Sequence, residues 1–343
     1  MNGNPLAMLP LDRGCQEICD WFELYTLSSE YFAVSIHELS RAWDKRKNSE
    51  DADFEGNSEG NTINAQEFQE DICQEIRNRI EKLGDCYPFQ FGETDEELVF
   101  QWDSSNEGAI IYVFCLFVSN TNNDVIFDDA SFYTITHHIR DLFQACATWA
   151  AASLVLGHSY SFGFPRPDHS GFLQKLTTIY KRFGDGQVRK TPLPGVSSNQ
   201  KDAKIDIISW HPRVDSAPGT HYILGQVATG NGWPEKNIKG APISAFHEIW
   251  FELVPASTPT PAMFIPFNII PENNESIAEK VGILTRQLGD IYYRLVMPKL
   301  AQKGLELARI NNNLVIERID DIAEVSTWVE KVIQDFRSAC VYF

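Results

Sequence analysis

No stretch of this 343-residue chain approaches the ~20 consecutive apolar residues that a bilayer-spanning helix needs. Met1 to Pro10 carries neither a basic run nor a long apolar one, so no secretory leader and no membrane partner are expected, and the chain reads as cytoplasmic. Positive charge is scarce: 29 Lys and Arg stand against 47 Asp and Glu, a formal charge of −18. That balance disfavours blanket adhesion to nucleic acid or anionic lipid while leaving room for a local basic patch. Clustered cysteine is missing too. Cys15, Cys19, Cys73, Cys86, Cys115, Cys146 and Cys340 are odd in number and scattered, unlike a secreted disulfide framework. Cys15 and Cys19 stand at i, i+4 with no CxxC or His/Cys partner set, so they read as helix packing residues rather than zinc ligands. After His247-Glu248 the second His of HExxH is replaced by Phe251; Gly184-Asp185-Gly186 lacks the third glycine of GxGxxG; and GxxxxGK[ST] does not occur. Zincin and nucleotide-loop chemistry are thereby excluded.

What is present is apolar bulk. Hydrophobic residues make up 43% of the chain, with 22 Phe and 8 Trp, which supports a folded core in one large or two ordinary domains. The polar stretch from Lys45 to Asn64 reads as a mobile insertion near 45–64, too poor in apolar groups to offset its ordering entropy. Phe68, Ile72, Ile76 and Ile80 then predict a helix over Ala65 to Leu83, ended by Gly84. Glu97 to Trp102 and the apolar run Ala109 to Val118 read as a buried strand hairpin. Ser131 to Leu156 reads as a long alanine-rich helix able to pack closely on a sheet, and Gly171 to Phe183 as another. Ile205 to Trp210 and Tyr222 to Ala228 flank a turn near Ser216 to Gly219 and predict an antiparallel hairpin. Phe264 to Ile270 suggests a further strand, and Val325, Trp328, Val329, Val332, Ile333 and Phe336 an amphipathic C-terminal helix.

That hairpin carries the chemistry. With its turn near Ser216 to Gly219, Asp206 and Gln226 face one another on adjacent strands, where opposed Cβ atoms lie ~4.5–5.5 Å apart. A carboxylate and an amide oxygen can help hold Mg²⁺, a hard cation that also takes substrate phosphate and can assist phosphodiester hydrolysis. A polar strand-end pair bonded to itself satisfies the same spacing. Phe172 to Lys204 adds a local excess of cations, and Lys175, Lys181, Arg182, Arg189 and Lys190 are the candidates for phosphate contact, with solvated loop charge as the alternative.

Over about Phe143 to Lys236, through Asp206 and then Gln226-Val227-Ala228, the chain resembles the PD-(D/E)XK restriction-endonuclease-like superfamily. The core of that superfamily has a helix, an Asp-bearing strand and a second strand carrying an acid or Gln followed by Lys. The phrase GQVATGNGWPEK is also similar to bacterial defence-associated members. The resemblance implies an α/β fold with a mixed central sheet flanked by helices: a restriction-endonuclease-like core over 130–343, preceded by an N-terminal α/β extension over 1–129. It implies a metal-dependent DNA endonuclease of prokaryotic antiphage defence, using Mg²⁺ or Mn²⁺ at Asp206 and Gln226. A companion defence protein or a second copy of the chain would be its partners. Two positions depart from the pattern. Position 228, where the lysine is expected, is Ala, making Lys236 the candidate for a migrated cation. The helix-borne acid falls near Gln144, with Asp141 one turn earlier as a substitute. The alternative is a catalytically degenerate subunit that binds nucleic acid or assembles a defence complex.

Overall fold

The computed structural model describes residues 5–53, 65–121, 125–127, 133–197, 200–272 and 275–340. The chain forms two compact units, Met1–Ile135 together with Ser326–Phe343, and Thr136–Val325. The division thus falls a few residues after the expected boundary at 129/130, and the last part of the chain belongs to the first unit rather than the second. Among the described residues no helix is long and apolar enough to cross a membrane.

The first unit contains α1 (Cys15–Ser28), β1 (Ala33–Ser35), α2 (His37–Asp53), α3 (Ala65–Leu83), β2 (Phe89–Phe91), β3 (Glu97–Phe100) and α4 (Glu107–Asn120). Its three strands form an antiparallel sheet in the order β1-β3-β2. Residues 45–53, expected in a mobile insertion, continue helix α2; the rest of that stretch, 54–64, lies outside the described residues. Ala109 to Val118 is a helix, not a strand. A continuous apolar run fits either element when every face is covered, and all of Gly108 to Asn120 is buried. Asn106 decides the matter locally, its side chain capping the helix by accepting from the Ala109 N–H at 3.0 Å. Helices α1 and α3 meet around the fully buried Arg79, which donates to Asp20 and Gln16 at 2.8 and 2.9 Å. Cys19 is a buried packing residue with its thiol on the Ile72 carbonyl of α3, whereas Cys15, expected to pack as well, is exposed beside the Asp71 carbonyl; all seven cysteines are free thiols.

The second unit runs α5 (His137–Val155), β4 (His158–Ser161), α6 (Phe172–Phe183), β5 (Gln187–Val188), β6 (Ile207–Trp210), β7 (Tyr222–Val227), α7 (Ala241–Trp250), β8 (Phe251–Leu253), β9 (Pro259–Phe264), α8 (Ile277–Leu288), β10 (Asp290–Tyr292) and α9 (Met297–Ile310). Helix α10 (Ile322–Cys340) begins here and passes into the first unit. Five strands form a mixed sheet ordered β10-β9-β7-β6-β4; β6 runs antiparallel to both its neighbours, β4 and β7, and β9 and β10 run parallel to β7.

Side-chain size sorts the two faces of this sheet. Ser159, Ser161, Ser209 and Gly225 make one face shallow, and the alanines of α5 settle onto it: Ser159 Oγ donates to the Thr148 carbonyl of α5 at 2.7 Å. Tyr160, Ile208, Trp210, Tyr222 and Leu224 make the other face deep and pack with Leu176 and Ile179 of α6 and with Phe246 and Trp250 of α7. Beyond α5 lies α9, so close that a Cβ on Gly304 would stand 1.9 Å from the Trp149 carbonyl oxygen. The strand expected over Phe264 to Ile270 is instead β9, ending at Phe264. Its prolines disguise it: Pro259 and Pro261 pair only with β7, because β10 joins the other edge from Ala262 onward, so no ladder donor is lost there.

Candidate functional site

Asp206 is the residue just before β6, and Gln226 sits one step past the Ile207↔Gly225 pair, facing it across the two strands. Backbone bonds fix Asp206 on both sides. Its N–H donates to the Gly225 carbonyl at 2.8 Å, and its own carbonyl accepts from Phe162 and Gly163 at 2.7 and 3.0 Å, tying down the end of β4. The carboxylate Oδ2 accepts from the Val227 N–H at 2.8 Å. Burial pushes this carboxyl up to about 7; the Val227 bond opposes the shift, the charge of Asp202 adds to it, and the ammonium of Lys236 opposes it. Lys236 therefore acts electrostatically on Asp206 from the end of the short 3₁₀ turn Trp233–Glu235. Lys239, by contrast, caps α8, donating to the carbonyls of Thr285 and Arg286 at 3.0 and 2.9 Å.

The amide oxygen of Gln226 has no hydrogen-bond partner although the residue is only 8% exposed. An unpaired buried acceptor costs about 1–3 kcal/mol, so a polar atom left this way is a feature that calls for a ligand. Gln144 projects from α5 toward the same corner. Its Nε2 donates to Ser161 Oγ at 2.6 Å. A Cβ built on Gly163 would stand 2.2 Å from Gln144 Oε1 and 2.8 Å from Asp206 Oδ1. Both oxygens therefore line the space that the missing side chain leaves open. The Asp206 and Gln144 oxygens at this corner, with the unpaired Gln226 oxygen on the facing strand, are hard ligands that suit Mg²⁺ or Mn²⁺ and not a thiolate-seeking metal. Among the described residues no group of three or more His, Cys, Asp or Glu side chains gathers to hold a metal. Any cation here rests on one carboxylate and neutral amides.

Comparisons with protein families, curated proteins and solved structures return no match. The site stands on its own geometry.

Two expected residues are committed elsewhere. Both carboxylate oxygens of Asp141 are taken by the guanidinium of Arg318, at 2.8 and 2.7 Å, a bidentate pair that leaves it unsuited to replace the helix acid. Lys175 is not a phosphate contact: it is 3% exposed and ion-paired to Glu317 and, at 2.9 Å, to Asp168. An ammonium so placed reaches no ligand without abandoning both partners. Arg189 is partly buried, with its guanidinium on the Glu248 carbonyl at 3.3 Å. Lys181, Arg182 and Lys190 are exposed, and Arg182 hydrogen-bonds the Tyr160 hydroxyl. Position 228 supplies no cation, since Ala228 is buried and its N–H is spent on the Phe264 carbonyl. Trp210 stacks on Tyr160 within the core, with ring centroids 5.5 Å apart.

Sequence reasoning missed Ser161, Gly163 and Glu317. Glu317 accepts from the Ser161 N–H at 3.0 Å and pairs with Lys175; burial raises its carboxyl, and Lys175 draws it back down. Lys175→Met should therefore destabilise the protein by about 1–3 kcal/mol, because it leaves the half-buried Glu317 carboxylate without its cation rather than removing a surface charge. Urea melts of the two proteins would check this, and a loss below about 1 kcal/mol would place the pair in the weak class of exposed ion pairs.

Proposed function

We propose that the chain is a metal-dependent nuclease acting on DNA, with its centre at Asp206, Gln226 and Gln144 and Lys236 as the nearby cation. The observation that carries this reading is the buried, unpartnered Gln226 oxygen on the rung facing Asp206. It is further supported by the order of elements, helix α5 ahead of a strand entered at Asp206 and a strand carrying Gln226, which is the order the PD-(D/E)XK resemblance implies. Asp206, Gln226 and Gln144 would hold Mg²⁺ or Mn²⁺. When bound, that cation would supply charge stabilisation for a phosphodiester oxygen and lower the pKa of a coordinated water. The protein's own residues do the rest. The Val227 N–H orients the Asp206 carboxylate, and Lys236 offers positive charge where negative charge develops during hydrolysis. Lys181, Arg182 and Lys190 provide exposed cations for the phosphate backbone. A role in prokaryotic antiphage defence, with a companion protein, extends the same resemblance.

Ala228 and the neutral Gln144 favour a second reading, a degenerate subunit that binds nucleic acid without cutting it. A plasmid assay with Mg²⁺ or Mn²⁺, with and without EDTA, separates the two. The nuclease reading expects nicking or linearisation that EDTA abolishes and that Lys236→Met lowers far more than it lowers DNA affinity. Metal and DNA binding without cleavage would establish the degenerate subunit. Equal losses of cleavage and affinity in Lys236→Met would make that residue a phosphate contact.

A further inference from the structure

We propose that Ser161, held by Glu317, is a positioning residue that sets the polarity of the Gln144 amide, turning its oxygen and not its nitrogen toward Asp206. This rests on the metal-site reading above. A primary amide is nearly symmetric in shape and opposite in chemistry at its two ends, one an acceptor and the other a donor. With Oε1 beside Asp206, both groups offer lone pairs to a shared cation. Rotated by half a turn, Nε2 would instead donate to the Asp206 carboxylate, consuming one of its lone pairs and closing the site with an internal hydrogen bond.

The structure selects the first arrangement. Gln144 Nε2 donates to Ser161 Oγ at 2.6 Å, and Oε1 is the atom that flanks Gly163 opposite Asp206 Oδ1. A serine hydroxyl can donate or accept, so it dictates polarity only if its own hydrogen is drawn elsewhere. Glu317 supplies that bias. Its Oε2 accepts the Ser161 N–H at 3.0 Å, which brings a carboxylate against this residue, and its Oε1 is anchored by the buried Lys175. The carboxylate bonds the Ser161 backbone and not its hydroxyl, so it acts through its charge, which favours a hydroxyl hydrogen turned toward Glu317 and leaves an Oγ lone pair for the Gln144 N–H. Ser161 is also fixed as a strand residue, paired with Ile207 next to Asp206 itself, so neither end of the relay is on a loose loop.

The test reads metal affinity without DNA or turnover. Mn²⁺ would be titrated into the full chain and followed by the electron paramagnetic resonance of the free ion. Ser161→Ala should weaken Mn²⁺ binding about tenfold, the lower end of what outer-shell residues contribute. In a Gln144→Ala background the same change should do nothing further. Gln144→Glu has an oxygen at both ends; it should bind Mn²⁺ more tightly than the parent and make Ser161 dispensable. The inference is overturned if Ser161→Ala binds Mn²⁺ like the parent while Asp206→Asn does not, an outcome that leaves the metal site standing. If Asp206→Asn also binds like the parent, the metal reading itself fails. Should Ser161→Ala not fold, Gln144→Glu alone decides: affinity no higher than the parent's means that position 144 does not present oxygen to the cation.

Discussion

Asp206→Asn is expected to abolish metal-dependent cleavage, by more than about 100-fold, and at the same time to leave the protein as stable as the parent or more so. The two effects share one cause. The carboxylate is held where burial disfavours its charge, raising its pKa to about 7, and Asn keeps the oxygen that accepts the Val227 N–H while discarding that charge. For the sign, a folded-state pKa above the usual carboxyl value of about 3.9 means that the folded protein binds the proton more tightly than the unfolded chain. Its contribution is then fully favourable below about pH 4 and is lost as pH rises through about 7. The parent should therefore lose stability across that window, whereas Asp206→Asn should not. Above pH 7 the variant should be ahead by on the order of 1–2 kcal/mol, after allowance for partial solvent screening. Thermal melts of both proteins from pH 4 to 8, alongside plasmid cleavage at pH 8, would measure it. A variant that is destabilised at pH 8, or that still cuts, would remove Asp206 from the role assigned to it. Stability given up for a charge at one position is what a site held ready for a cation looks like.

The elements around that charge were legible in the sequence because they are local. Period and turn chemistry locate α6, the β6–β7 hairpin and the end, though not the start, of α5, and the hairpin alone brings Asp206 and Gln226 onto facing positions. What periodicity cannot supply is the identity of the neighbour across a fold. Lys175 reads as one cation among several until Glu317, distant in sequence, closes on it. Asp141 reads as a free helix acid until Arg318 takes both of its oxygens. Ala109 to Val118 failed for a different reason: a run buried on every side has no polar face, and with no polar face there is no period to read. Ser161 and Gly163 carry no motif at all. Their importance comes from the β4 strand ending where α5 and β6 approach each other, which is a property of packing.

Gly163 gives the second large effect. Alanine is tolerable to the backbone there, since its φ lies outside the left-handed region, and the atoms an added Cβ would meet are side-chain ends rather than main chain. Gln144 Oε1, at 2.2 Å, and Asp206 Oδ1, at 2.8 Å, must both move, and each can do so by a change of rotamer. Gly163→Ala should thus fold with a loss of no more than about 1–3 kcal/mol, the ordinary cost of overpacking, while the two oxygens are driven out of register. Misplacing reacting groups by about 1 Å can cost 100-fold in rate, so cleavage should fall by at least that much and Mn²⁺ affinity should fall with it. Gly230→Ala, where an added Cβ meets nothing within 4 Å, is the matched control and should behave as the parent. The comparison isolates the pocket from the fold, because neither change alters charge or replaces any proposed ligand. If Gly163→Ala cuts and binds Mn²⁺ at parental levels, the space beside Gly163 is not where the cation sits. The Asp206–Gln144 corner would then be a packing feature, and the unpaired Gln226 oxygen would need another ligand.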